Sequence, residues 1–293
     1  MKLARAALSA VTLLTLASCQ SNLDDLSDDD VGNLKDIFGR ETEASVIGLS
    51  LSETVLIVGD SAPDDPARVQ STGVTALALP AGCRTVIAGS ETDTDSDGVP
   101  ADVTYQFDAI QCKRTLLFGR TRTLSGTARL EDAKPAVADG SYNETSSDFA
   151  FSEEIRGNPS FTETRNGARR LIAKGAQSLT RDNSLTTTLE RRLLPDQRLV
   201  NQMRFVFTSA GGAVAIGSPL PAGTLDLSGG VQFSSATMPL RGFTVTTEFA
   251  LQFSPTCAEQ RITGGAVLLR YARGAVRIAF GACGSPPTAT RVP

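Results

Sequence analysis

Beyond about residue 100 the apolar residues recur with a period of two, the spacing of half-buried strands rather than helices. Val103, Tyr105, Phe107 and Ala109 alternate with Thr104, Gln106 and Asp108. The same alternation runs through Met203, Phe205 and Phe207, and through Leu225, Leu227, Val231 and Phe233. It is strongest through Phe243, Val245, Thr247, Phe249, Leu251 and Phe253. Each run predicts a strand with one apolar face. Turn signals stand between and around them at Gly157-Asn158-Pro159, Asn166-Gly167, Pro195-Asp196, Gly211-Gly212 and Arg273-Gly274. Asn166-Gly167 is the most specific, because a type I′ turn needs positive φ at both central residues. The expected fold is mainly β: an antiparallel meander of about ten to twelve strands curled into a barrel, half-barrel or sandwich. A short N-terminal helix is expected from Asp30 to Phe38. The apolar run Val55 to Val58 fits either a buried strand or part of a helix.

Composition sharpens this picture mainly through what is missing. The 293 residues contain 26 Gly and 14 Pro against 5% aromatics, which suits short strands and many turns. There is no His, which removes Ser-His-Asp and Cys-His catalysis and every imidazole metal site. No Trp and only three Tyr leave no stacking platform for sugars or bases.

Lys2 and Arg5 precede an apolar run from Ala6 to Ala17 that closes on Leu16-Ala17-Ser18-Cys19. The run is shorter than the roughly 20 apolar residues of a membrane-spanning helix. Leu-Ala-Ser-Cys resembles the lipobox of bacterial lipoproteins. The resemblance implies that residues 1–18 are a signal peptide and that the chain is cleaved before Cys19, whose thiol and new amine are acylated. Several acyl chains at about 0.8 kcal/mol per buried CH2 make a stable anchor. Gln20 stands where an Asp would be the inner-membrane retention signal, which implies the outer membrane. Residues 19–43 then form a lipidated acidic tether and 44–293 a β-rich domain.

The charge is set by the two ends of that tether. The signal carries Lys2 and Arg5, and residues 20–45 carry eight acids against Lys35 and Arg40; the remainder is neutral, giving −4 overall. Ser21 to Asp30 reads as a solvated spacer, with docking of a basic partner as the sharper alternative. Within the neutral part, residues 156–204 hold ten Lys/Arg against four Asp/Glu. Solvated strand faces are the plain reading. The sharper one is a face for an envelope protein, anionic lipid or glycan. Nucleic acid is not expected as a partner, since no aromatics are interleaved with these arginines.

With Cys19 lipidated, four cysteines remain in an oxidising compartment, so two disulfides are expected. Order and symmetry favour Cys83 with Cys112 and Cys257 with Cys283, because each pair brackets a candidate hairpin. Inside the first pair lies Asp93-Thr94-Asp95-Ser96-Asp97-Gly98. Carboxylates at every second position followed by a bend-forming Gly point their oxygens at one centre, the first half of a calcium loop. The stretch resembles the D-x-D-x-D-G loops of EF-hands, dockerins and thrombospondin type 3 repeats. Over residues 83–112 it also resembles a Cys-bracketed Asp-loop hairpin of uncharacterised bacterial lipoproteins, which implies no activity. It departs from the EF-hand at loop positions nine and twelve, occupied by Ala101 and Thr104. Asp102, or else Asp108 or Glu91, would have to join Asp93, Asp95 and Asp97. The plain reading is a polar turn held by Asx hydrogen bonds.

Val55-Leu56-Ile57-Val58-Gly59-Asp60-Ser61 resembles the first block of SGNH/GDSL hydrolases, but that mechanism needs a His that this chain lacks. Glu153 and Glu154 fall on opposite faces of a strand and cannot share a substrate. No enzymatic activity is expected. Two roles fit: a lipid-anchored envelope β-protein with a structural or interaction task, or a periplasm-facing carrier of lipid or a small molecule. The aromatic run at residues 243–253 argues for a filled interior, and the Ala/Gly-rich stretches at 211–217 and 264–275 argue for space.

Overall fold

A computed structural model describes residues 26–50, 82–115, 120–191, 194–214, 220–234, 239–257 and 261–292. Among the described residues one helix, α1 (Asp28–Ser50), precedes thirteen strands. These are β1 (Arg84–Ser90), β2 (Asp102–Phe107), β3 (Lys113–Thr115), β4 (Arg120–Asp132), β5 (Tyr142–Ile155), β6 (Asn158–Ala173) and β7 (Ser178–Arg191), followed by β8 (Leu194–Ser209), β9 (Gly223–Ser234), β10 (Arg241–Phe253), β11 (Ile262–Tyr271), β12 (Gly274–Ala279) and β13 (Thr288–Val292). All pair antiparallel in one sheet, in the order β1-β2-β4-β5 and then consecutively to β13, with β3 beside β4. β2 and β3 lie end to end on one edge of β4, against Gly126 to Glu131 and Thr121 to Thr123 respectively. The sheet is open, with β1 and β13 at its two ends, so the closed barrel among the expected forms is not adopted.

The expected alternation is visible in burial. Val103, Tyr105 and Phe107 are at most 1% exposed, as are Met203, Phe205 and Phe207, so one face of the meander is apolar. That face curls. α1 lies against β7 and β8, in the middle of the order, and against β13 at its end, which would be about 24 Å from β8 in a flat sheet. Side chains from across the sheet and from α1 belong to one core.

The acidic N-terminal stretch is the first turn of this helix. Ser27 caps it: its Oγ accepts from the Asp30 amide (3.1 Å), and an Asp30 carboxylate oxygen accepts from the Ser27 amide (3.1 Å). Leu26 before the cap and Val31 in the next turn are both buried, a hydrophobic staple. Asp28, Asp29 and Asp30 sit where the helix dipole favours negative charge. Val31, Leu34, Phe38 and Thr42 then form one buried stripe. The helix therefore starts inside the expected spacer and runs beyond both Phe38 and residue 43, and from Val31 to Thr42 its buried stripe has a surface to cover.

Two turn signals prove to be strand residues. Asn166-Gly167 lies within β6, opposite a bulge in β5 where Asp148 has φ +47°. The Asp148 amide, displaced from the ladder, donates to Asn166 Oδ1 (2.8 Å), and Gly167 takes φ +127°. A bulge and a hairpin turn make the same demand for positive φ, which is why the dipeptide misleads. Pro195 falls near the start of β8, a position a strand tolerates. Gly157, Gly211-Gly212 and Arg273 do mark chain reversals or bends. The run from Phe243 to Phe253 is not one-faced throughout. A register shift after Thr247 turns Phe249 outward, leaving it 62% exposed. A Cβ on Gly167 would lie 2.1 Å from the Ser184 carbonyl oxygen, whereas one on Gly230 would have its nearest neighbour at 3.7 Å. Gly167→Ala is thus expected to lose about 1–3 kcal/mol in urea denaturation. Gly230→Ala is the control, expected within about 0.5 kcal/mol of wild type.

The arginine-rich segment is not uniformly solvated. Arg169 and Arg181 are 7% and 5% exposed, on the inner face with Leu171 and Leu179. They form a buried polar belt with Glu144, Ser146 and Asn183. Arg169 Nη1 lies 3.8 Å from Glu144 Oε1, and Arg181 Nε donates to Asn183 Oδ1 (2.9 Å). Alternation forces them inward: each is two residues from a buried Leu on its strand.

Candidate metal centre

The β1–β2 connection is closed at its base by the Ala101 amide donating to the Thr92 carbonyl (2.9 Å). Within it, positive φ at Ser96 (66°) and Gly98 (90°) bends the chain back on its own carboxylates. Asp93 Oδ1 accepts from the Ser96 amide and Oδ2 from the Gly98 amide, both at 2.8 Å. Asp95 Oδ1 accepts from the Asp97 amide (3.3 Å), and Asp97 Oδ1 from the Val99 amide (2.8 Å). Asp97 Oδ2 reaches across to the Gly140 amide (2.7 Å), tying the loop to the β4–β5 connection. Asp93, Asp95 and Asp97 each offer a carboxylate oxygen within 4.8 Å of the others, a group that could hold a metal ion. The donors are all oxygens, the set that hard cations prefer. The bond from the Gly98 amide, foremost, holds the Asp93 carboxyl below the ordinary carboxylate range. Desolvation, and then the neighbouring charge of Asp97, pushes Asp95 up.

The three residues considered for completing the shell are engaged elsewhere. Asp102 Oδ1 and Oδ2 accept a two-pronged pair of bonds from Arg129 Nε and Nη2, each 2.8 Å, and this hydrogen bonding depresses the Asp102 carboxyl. Alternation puts Asp102 on the exposed face of the sheet, beside Arg129 of the neighbouring strand. Glu91 Oε1 accepts from the Tyr105 hydroxyl (3.0 Å) and lies 3.2 Å from Arg84. Burial, reinforced by that Glu91 bond, raises the Tyr105 hydroxyl. Asp108 Oδ1 caps the next turn, accepting from the Ile110 (2.7 Å) and Gln111 (3.2 Å) amides.

The residue that sequence spacing misses is Asp132, the last residue of β4. It is 5% exposed, and its amide donates to the carbonyls of Pro100 (3.1 Å) and Ala101 (3.3 Å) at the end of the acidic loop. Oδ1 accepts from the Lys134 amide (2.6 Å). Oδ2 is shielded from solvent and has no hydrogen-bond partner among the described residues, and the same holds for Asp95 Oδ2. Desolvation raises the Asp132 carboxyl, with the charges of Asp95, Asp139 and Asp93 adding to it. The only signal for this neighbour is the pairing of β2 with β4, which sets Asp102 opposite Glu131.

Both disulfides join the expected partners: Cys83 with Cys112 (Cα–Cα 4.4 Å) and Cys257 with Cys283 (5.6 Å). The first brackets the β1–β2 hairpin and its acidic loop, the second the β11–β12 hairpin. Cys19 with its lipobox, and the stretch from Val55 to Ser61, lie outside the described residues. No known family model and no curated protein matches this chain.

Proposed function

We propose that this protein is a lipid-anchored cell-envelope β-protein with a structural or interaction role, held to a bacterial outer membrane by acyl chains on Cys19 and stabilised by calcium at Asp93, Asp95 and Asp97. The observation that carries the structural role is the filling of the inner face. Tyr105, Tyr142, Phe107, Phe205, Phe207 and Phe233 are fully buried there, and the apolar stripe of α1 is seated against the same core. Large inward side chains favour a packed interior over a ligand space. The small residues near 264 have another use: a Cβ on Gly265 would lie 2.4 Å from the Ala250 carbonyl oxygen, so they permit close strand approach. Calcium is the metal of choice because the donors are all carboxylate oxygens, set at every second position before a Gly as in the first half of a calcium loop. Arg170 and Arg198 stand exposed on the outer face and suit an acidic envelope protein, anionic lipid or glycan.

A carrier role draws on one observation, the buried polar belt of Glu144, Arg169, Arg181 and Asn183, a lining able to orient a headgroup. Two measurements on one variant decide between the readings. Cys19→Ser is expected to move the protein from the detergent phase to the aqueous phase; identical partitioning removes the anchor. Organic extraction of that variant, followed by mass spectrometry, is expected to release no stoichiometric lipid. A stoichiometric lipid would replace the structural role with the carrier.

A further inference from the structure

We propose that Asp132 is a further ligand of the divalent cation held by Asp93, Asp95 and Asp97, so that the ion fastens the β1–β2 loop to the end of β4. The proposal rests on the reading of the loop as a calcium site and extends it to a second element of the fold. Two carboxylate oxygens here, Asp132 Oδ2 and Asp95 Oδ2, are enclosed yet accept no hydrogen bond from any described residue. Enclosed anionic oxygens without a donor require either a proton or a cation. The ammonium two residues on is already committed, since Lys134 Nζ is bonded to Asp139 Oδ2 and to the Ala173 carbonyl. The charges of Asp95, Asp139 and Asp93 bear on Asp132, and a divalent ion offsets such a concentration of negative charge.

The loop by itself supplies three carboxylates, whereas calcium takes roughly six to eight oxygens. Asp132 is placed to add to them. Its amide is bonded to the carbonyls that end the loop, and the Asp97 to Gly140 bond holds the β4–β5 connection against the same loop. Its carboxylate is not one of the three that lie within 4.8 Å of one another, so ligation draws the end of β4 toward the loop.

The test uses the full-length chain in detergent, with calcium titrated calorimetrically and terbium luminescence decay in H2O and D2O counting the waters on the ion. Asp132→Ala is expected to weaken calcium at least about tenfold, since even residues that only support metal ligands cost 10–100-fold. It should also add a water to bound terbium. Asp132→Asn, which keeps the acceptor for the Lys134 amide, should weaken binding without unfolding the protein. Asp102→Asn, which removes an equal charge at the Arg129 pair, should change neither quantity. Unchanged affinity and water count in Asp132→Ala overturns the proposal while leaving the three-carboxylate site intact, and points to a proton on Asp132. Weaker binding with an unchanged water count also overturns it, because Asp132 then acts through its charge alone. Absence of calcium binding by wild type overturns this proposal and the calcium reading together.

Discussion

Phe38→Ala should destabilise the protein by about 3–5 kcal/mol in chemical denaturation, the range for emptying a buried aromatic site. Phe38 is 1% exposed and sits in the stripe by which α1 joins the core, between Leu34 (1%) and Thr42 (0%). If the helix were a solvated tether, the same change would fall within about 0.5 kcal/mol of zero. Thr42 supplies a control of opposite sign. Its Oγ1 is buried with no hydrogen-bond partner among the described residues, so Thr42→Val removes an unsatisfied hydroxyl at nearly constant shape. That variant should be neutral or more stable by about 1 kcal/mol. A loss at Thr42→Val matching that at Phe38→Ala would mean that the Thr42 hydroxyl has a hydrogen-bond partner in the folded protein.

Replacing Cys83 and Cys112 together by Ser should cost about 3–4 kcal/mol, the chain-entropy value for closing a loop of this length. The cross-link spans 29 residues and ties the start of β1 to the turn before β3. Among the described strands β1 pairs with β2 alone, and it is exposed along most of its length. Without the cross-link it should be the first element to open. Hydrogen exchange should accelerate first at Arg84 to Ser90, with β7 and β8 unaffected until global unfolding. Uniform acceleration across the sheet would instead place the bond within the cooperative core.

What the sequence disclosed depended on whether the signal was local. The strands around Phe205, Leu227 and Tyr105 were legible because one face meets the core and the other water, so burial writes a period of two into the residues. The two disulfides followed from hairpin order. The helix was half legible: Ser27 with Asp30 is a capping pair and Leu26 with Val31 a staple, but the acids between them read equally well as a spacer. Asn166-Gly167 misled because only tertiary context distinguishes a bulge from a turn. Of the candidate site, the three loop carboxylates were legible from their spacing. Asp132 was not, because nothing near it in sequence refers to the loop; strand pairing alone brings it there.

The seat of α1 also orders events in time. Apart from β2 with β4, every strand pair joins sequence neighbours, so the sheet can grow one hairpin at a time at little loop-closure cost. The helix is the exception. It rests on β7, β8 and β13, and its Asp28 meets Arg291 across 263 positions. Its docking surface is complete only when the last strand has been added. The first of the described elements to be made therefore gains its full seat only with the last of them, and until then part of the stripe of Leu26, Val31, Leu34 and Phe38 lacks its cover.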